Sequence, residues 1–193
     1  MKAAPVQLLQ VVFKKLLVEW DERHAPPDPP NPFTAPFVFD GVDLSTEFSF
    51  GELDREHERG RMYLVSLRLI VDNEPRDDDK NQQFSPYLID VEARGVVLIP
   101  NGAEKLAPPD DLAAVNGASL LWSSIREQVV SASARMMAGQ VMLPTMNFHD
   151  FAQNTASAAA AKAAQEAAEV SPRTKKRDAT KAGKPASRSE SKE

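Results

Sequence analysis

The sequence predicts an α+β fold, on three observations. Residues 41–53 alternate apolar and polar side chains with the period of two that marks a β-strand, and 61–71 and 84–99 carry apolar residues at successive second positions. Short turns separate successive runs, which favours antiparallel pairing. One later stretch, 118–137, repeats its apolar residues at helical spacing, so strands and helix are segregated along the chain.

The first run, residues 6–20, is rich in Val, Leu and Phe. One alternate set holds Leu8, Val12, Leu16, Val18 and Trp20, and the other holds Leu9, Val11, Phe13 and Leu17. Two apolar faces predict a strand covered on both sides. Six prolines between Pro26 and Pro36 then forbid both ladder and helix, so this segment reads as a stiff, extended crossover loop that ends in Phe33, Phe37 and Phe39.

Residues 41–53 place Val42, Leu44, Thr46, Phe48 and Phe50 on one face, opposite Asp43, Ser45, Glu47 and Ser49. Residues 61–71 place Tyr63, Val65, Leu67, Leu69 and Val71 together. In 84–99 the set is Tyr87, Ile89, Val91 and Ala93, with Gly95 read as a bulge or kink. The stretch 100–117 reads as a Pro/Gly/Asp-rich connection. The helix follows, with Leu121, Ile125, Val129, Ala132 and Met136 on its core face and Gly139 as its stop. Its opposite face is small and polar, with Ser123, Ser124, Ser131 and Ser133. Such a face suits either close helix packing or plain solvation.

Beyond an apolar segment at 141–148 the chain becomes Ala-rich. The expected organisation is a domain over 1–151, an Ala-rich helical extension over 152–170 and a disordered basic tail over 171–193. That tail holds eight Lys/Arg and three Asp/Glu. The other 170 residues keep 15 basic and 25 acidic groups, out of a chain total of −5. An acidic body argues against general nucleic-acid binding. The tail's Lys175, Lys176 and Arg177 would suit an anionic surface or serve as a solubilising arm.

Catalytic chemistry finds no foothold. Cysteine is absent, which removes thiol nucleophiles and Cys-ligated zinc. His24, His57 and His149 lie far apart, with no partner one helical turn away. Asp77, Asp78 and Asp79 lack the ligand spacing of a calcium loop. There is no phosphate-binding glycine loop and no nucleophile elbow. A non-enzyme without cofactors is expected. The N-terminal run is too short, and too interrupted by Lys14 and Lys15, to read as a signal peptide or membrane span, which leads to the expectation of a cytoplasmic protein with no direct membrane insertion.

Residues 119–148, SLLWSSIREQVVSASARMMAGQVMLPTMNF, resemble the C-terminal half of the SecB protein-export chaperones. The positions that carry the likeness are Leu121, Trp122, Arg126, Glu127, Ser131, Arg135, Leu143, Asn147 and Phe148. A second match is YLIDVEARGVV at 87–97, where Leu88, Asp90 and Gly95 fill the family's positions. The likeness spans about residues 8–151.

The resemblance implies a four-stranded antiparallel sheet with the long helix and a C-terminal helix packed on one side. It also implies a homo-tetramer, with the Ser123, Ser124, Ser131 and Ser133 face between helices. The function it implies is an ATP-independent holdase that binds unfolded polypeptides and keeps preproteins competent for the Sec translocase. Flexible Met and aromatic side chains suit varied clients. The candidate client groove comprises Phe33, Phe37, Phe39, Met142, Met146 and Phe151. Docking to the SecA motor would use Leu88, Asp90 and the basic tail. On the first strand, however, Leu16 and Trp20 stand where the family carries acids, and only Glu19 is acidic. That departure favours an alternative, a SecB-like chaperone dedicated to an antitoxin or another single client. A third reading is an adaptor or nucleic-acid-associated protein acting through the tail.

Overall fold

The structure, a computed structural model, describes residues 4–24, 37–76 and 81–152. Phe33, the tail and the Ala-rich extension beyond Ala152 lie outside these residues. Four strands, β1 (Gln7–Trp20), β2 (Ser45–Asp54), β3 (Gly60–Val71) and β4 (Tyr87–Pro100), precede one long helix, α1 (Pro109–Ser133). The strands form one antiparallel sheet in the order β1-β4-β3-β2, with α1 on one face. The expected α+β class is borne out.

The alternation in the two central strands becomes two distinct faces. Tyr63, Val65, Leu67, Leu69 and Val71 of β3 are buried under α1 together with Tyr87, Ile89, Val91, Ala93 and Val97 of β4. Opposite them is an open face that holds Met62, Leu64, Ser66, Arg68 and Ile70 beside Leu88, Asp90, Glu92, Arg94 and Val96.

β1 departs from the doubly covered strand expected. Irregularities between Leu8 and Gln10 and between Phe13 and Lys15 change which residues share a face. Leu8, Val11, Phe13, Val18 and Trp20 thereby pack against the core despite mixed parity in the sequence. Gln10, Val12, Lys15, Leu17 and Glu19 lie on the open side. Leu9, Val12, Leu16 and Leu17 are 40–49% exposed.

Gly95 is no bulge, because β3 and β4 pair without a break from Gly60↔Pro100 to Val71↔Ile89. Its role is close approach: a Cβ there would lie 3.0 Å from both Leu121 Cδ2 and Leu8 Cδ1.

α1 begins nine residues before the expected start. Pro109 occupies its first turn, followed by Asp110 and Asp111. Proline has no N–H to lose there, and the carboxylates oppose the positive end of the helix dipole. The Tyr63 hydroxyl donates to Asp110 Oδ1 at 2.7 Å, which ties this end to β3. Ala113, Ala114, Gly117 and Ala118 are buried, and their small size lets the helix lie close on the sheet. Leu121, Ile125, Val129 and Ser133 continue the inner line.

A buried carboxylate fastens the opposite corner. Asp21 accepts hydrogen bonds from Arg23, and its Oδ2 lies 2.9 Å from both Asn73 Nδ2 and His24 Nδ1. Asn73 adopts a left-handed conformation, φ 56°, and also exchanges hydrogen bonds with the backbone of Ser85. Arg23 is the main cause that holds the Asp21 carboxyl far below the usual range; burial opposes it, and Asn73 and His24 assist.

Candidate functional site

After α1 the chain doubles back, and helix side chains pin it. The Ser133 hydroxyl accepts the Val141 N–H at 3.1 Å while donating to Val129 O at 2.7 Å. Arg126 Nε donates to Leu143 O and Trp122 Nε1 to Pro144 O, both at 2.9 Å. These contacts satisfy backbone groups of the returning segment. Val141 and Leu143 therefore face the core, and Met142 turns outward.

The end of the crossover loop lies alongside. Phe37 forms an isolated parallel bridge with Val141. Phe37 and Phe39 meet edge to face, with ring centroids 5.2 Å apart. Between the two segments is a groove of about 260 Å³, lined by Phe37, Val38, Phe39, Met142, Leu143 and Arg126 among others. Val38 is 59% exposed and Met142 44%, whereas Phe39 is 6% exposed and belongs to the core. Phe39 thus forms the groove's foundation, and Val38 and Met142 offer its accessible apolar atoms.

Of the expected groove residues, Phe37, Phe39 and Met142 come together here. Met146 is exposed but does not line the groove. Phe151 stacks on Phe48 of β2 at 4.4 Å and lies 5.4 Å from Phe148, so it belongs to a separate aromatic row. Phe33 lies outside the described residues. Val38 and Arg126 were missed as groove residues. The Phe-Val-Phe alternation carried a signal for Val38, since an extended segment turns its middle residue away from its neighbours.

Leu88 and Asp90 both lie on the open sheet face. Asp90 is not a free acid. Arg68 donates to both its oxygens, at 2.9 and 2.8 Å, and Lys15 binds it from β1. Arg68 also reaches Glu47 at 3.3 Å, which completes a chain of alternating charge across all four strands. Arg68 foremost, with Lys15 and against burial, holds the Asp90 carboxyl down at about 2.

The serines divide. Ser123 and Ser131 are exposed and Ser124 is half-buried, with the Ser123 and Ser124 hydroxyls bonded back to carbonyls one turn earlier. Ser133 is fully buried under the 141–143 segment and does not share their face. Among the described residues no cluster of three or more His, Asp or Glu is placed to hold a metal, and no helix is long and apolar enough to cross a membrane.

No family model matches the chain, and no curated protein does. Among solved structures it is similar to a SecB-like chaperone of Mycobacterium tuberculosis in complex with a ChAD peptide from an antitoxin. The identity is 17%, the match covers 74% of this chain and 91% of that one, and the TM-score is 0.36.

Proposed function

We propose that this protein is a holdase that binds unfolded polypeptide without ATP. The observation that carries this reading is the groove between residues 37–40 and 142–145. Its apolar rim is formed by Val38 and Met142, and the 141–144 backbone that carries Met142 is fixed in place by Ser133, Arg126 and Trp122. Exposed apolar surface of this kind marks an interaction site when it is built on a rigid frame. A Met side chain adapts to ligands of different shape. The sequence likeness to the SecB chaperones over 119–148 supports the same reading. The test is the aggregation of a chemically denatured protein diluted into buffer without nucleotide. Suppression at near-stoichiometric amounts is expected; aggregation that proceeds unchanged removes the proposal.

Two forms of this function compete. In one, the protein keeps preproteins in an export-competent state in the cytoplasm, as a homo-tetramer that docks to the SecA motor through Leu88, Asp90 and the basic tail. In the other it serves a single client such as an antitoxin. The engagement of Asp90 by Arg68 and Lys15 favours the second, because a carboxylate with two cationic partners offers little free charge to a motor. Pull-down with purified SecA separates them: no retention by the full chain, with client binding intact, supports the dedicated form.

A further inference from the structure

We propose that Met142 is a site of reversible oxidation, and that conversion of its thioether to the sulfoxide weakens the hold of the groove on polypeptide. This rests on the polypeptide-binding reading above and adds a redox control to it.

The sulfur of this chain is all thioether. There is no cysteine, and four of the six methionines fall between Met136 and Met146. An oxidant that meets the protein finds no thiolate to consume it first. Met137, Met142 and Met146 are 68%, 44% and 36% exposed, whereas Met136 packs against the core.

Position separates the three exposed sulfurs. Met142 lines the groove, and Met137 and Met146 do not. Met142 and Val38 supply the groove's accessible apolar atoms, so one added oxygen alters a large share of its rim. The thioether carries almost no hydration to lose. A sulfoxide is strongly hydrated, and a client that covers it must strip that water away.

The frame around Met142 is independent of its sulfur. Val141 and Leu143 are buried on either side and turn Met142 outward. The Val141 N–H, Leu143 O and Pro144 O are held by Ser133, Arg126 and Trp122. Oxidation therefore changes the polarity of the rim and leaves the fold in place.

The chemistry needs a hydroperoxide. The sulfur lone pair attacks one oxygen of hydrogen peroxide, the O–O bond breaks, an S–O bond forms and water leaves. Sulfur gives up two electrons and the peroxide takes them. Methionine sulfoxide reductases restore the thioether at the expense of two thiols, which become a disulfide as the oxygen departs in water.

The full-length protein is treated with hydrogen peroxide, and the peroxide is removed before a fluorescent denatured client is added. Peptide mass spectrometry reads the oxidation of each methionine, urea unfolding checks the fold, and each variant is compared with itself before and after treatment. Wild-type affinity is expected to fall by about tenfold once Met142 is oxidised. Reductases for both sulfoxide epimers should restore it. Met142→Leu should lose none of its own affinity on treatment, although Met137 and Met146 are oxidised as before. The double variant Met137→Leu/Met146→Leu should lose affinity as the wild type does. Unchanged affinity in the double variant with Met142 fully oxidised overturns the proposal, as does an equal loss in wild type and Met142→Leu. In either case untreated protein that binds client keeps the holdase reading. If the untreated wild type binds no client, both readings fall.

Discussion

Gly117 of α1 lies against Val65 of β3 so closely that a Cβ on the glycine would stand 2.9 Å from Val65 Cγ2. The helix rests on the sheet at this contact, and the run Ala113, Ala114, Gly117, Ala118 makes room for it. Gly117→Val forces branched carbon into occupied space, at a cost of about 2–3 kcal/mol. Urea unfolding should show a lower midpoint with an unchanged slope.

Ser133 is the hinge pin of the returning segment. Ser133→Ala removes the acceptor of the buried Val141 N–H, which costs about 1–3 kcal/mol when no substitute forms. The local consequence is more telling. Hydrogen exchange at Val141 should speed up by more than at the β3–β4 ladder, and client affinity should fall with it.

Acid should loosen the sheet through Asp90. Its folded carboxyl titrates at about 2, below the ordinary carboxylate value near 4, so the charged form is the one folding favours. The stabilisation is complete above the unfolded value and is lost as pH falls through about 4 toward 2. Asp21, held lower still by Arg23, Asn73 and His24, acts in the same direction. Asp90→Asn should lower stability at pH 7 and flatten the decline between pH 5 and 2, as read from urea midpoints across that range.

Much of the fold was legible because one face of β3 and of β4 is buried and the other is not. Tyr63 through Val71 and Tyr87 through Ala93 alternate without interruption, and the ladder between them has no break. β1 was misread for a physical reason. Its two register shifts rotate the strand, so residues of both parities reach the core and a count by twos reports two apolar faces. The start of α1 was missed because its first three turns bury Ala and Gly, which give no hydrophobic period, although Pro108, Pro109 and Asp110 marked a helix N-terminus. At the other end the core line passes through Ser133 rather than Ala132 alone, since a buried hydroxyl with donor and acceptor both used behaves as a core residue.

The candidate groove was legible in part. The resemblance to the SecB chaperones, with the adaptability of Met and aromatic side chains, pointed to Phe37, Phe39 and Met142. It could not tell that Phe151 stacks on Phe48, because which aromatic row a terminal residue joins depends on where the chain turns. The charge chain Lys15–Asp90–Arg68–Glu47 was invisible for the same reason, as its members lie on four strands brought together only by pairing.

Site-specific photo-crosslinking tests the central claim most directly. A photoreactive phenylalanine analogue is placed at Val38, at Met142 and at Leu106, and a denatured client is added without nucleotide. Leu106 is 69% exposed and apolar but does not line the groove, so it controls for exposure alone. Client adducts at Val38 and Met142, well above those at Leu106, are the expected result. Adducts no more frequent at the groove than at Leu106 would contradict the account.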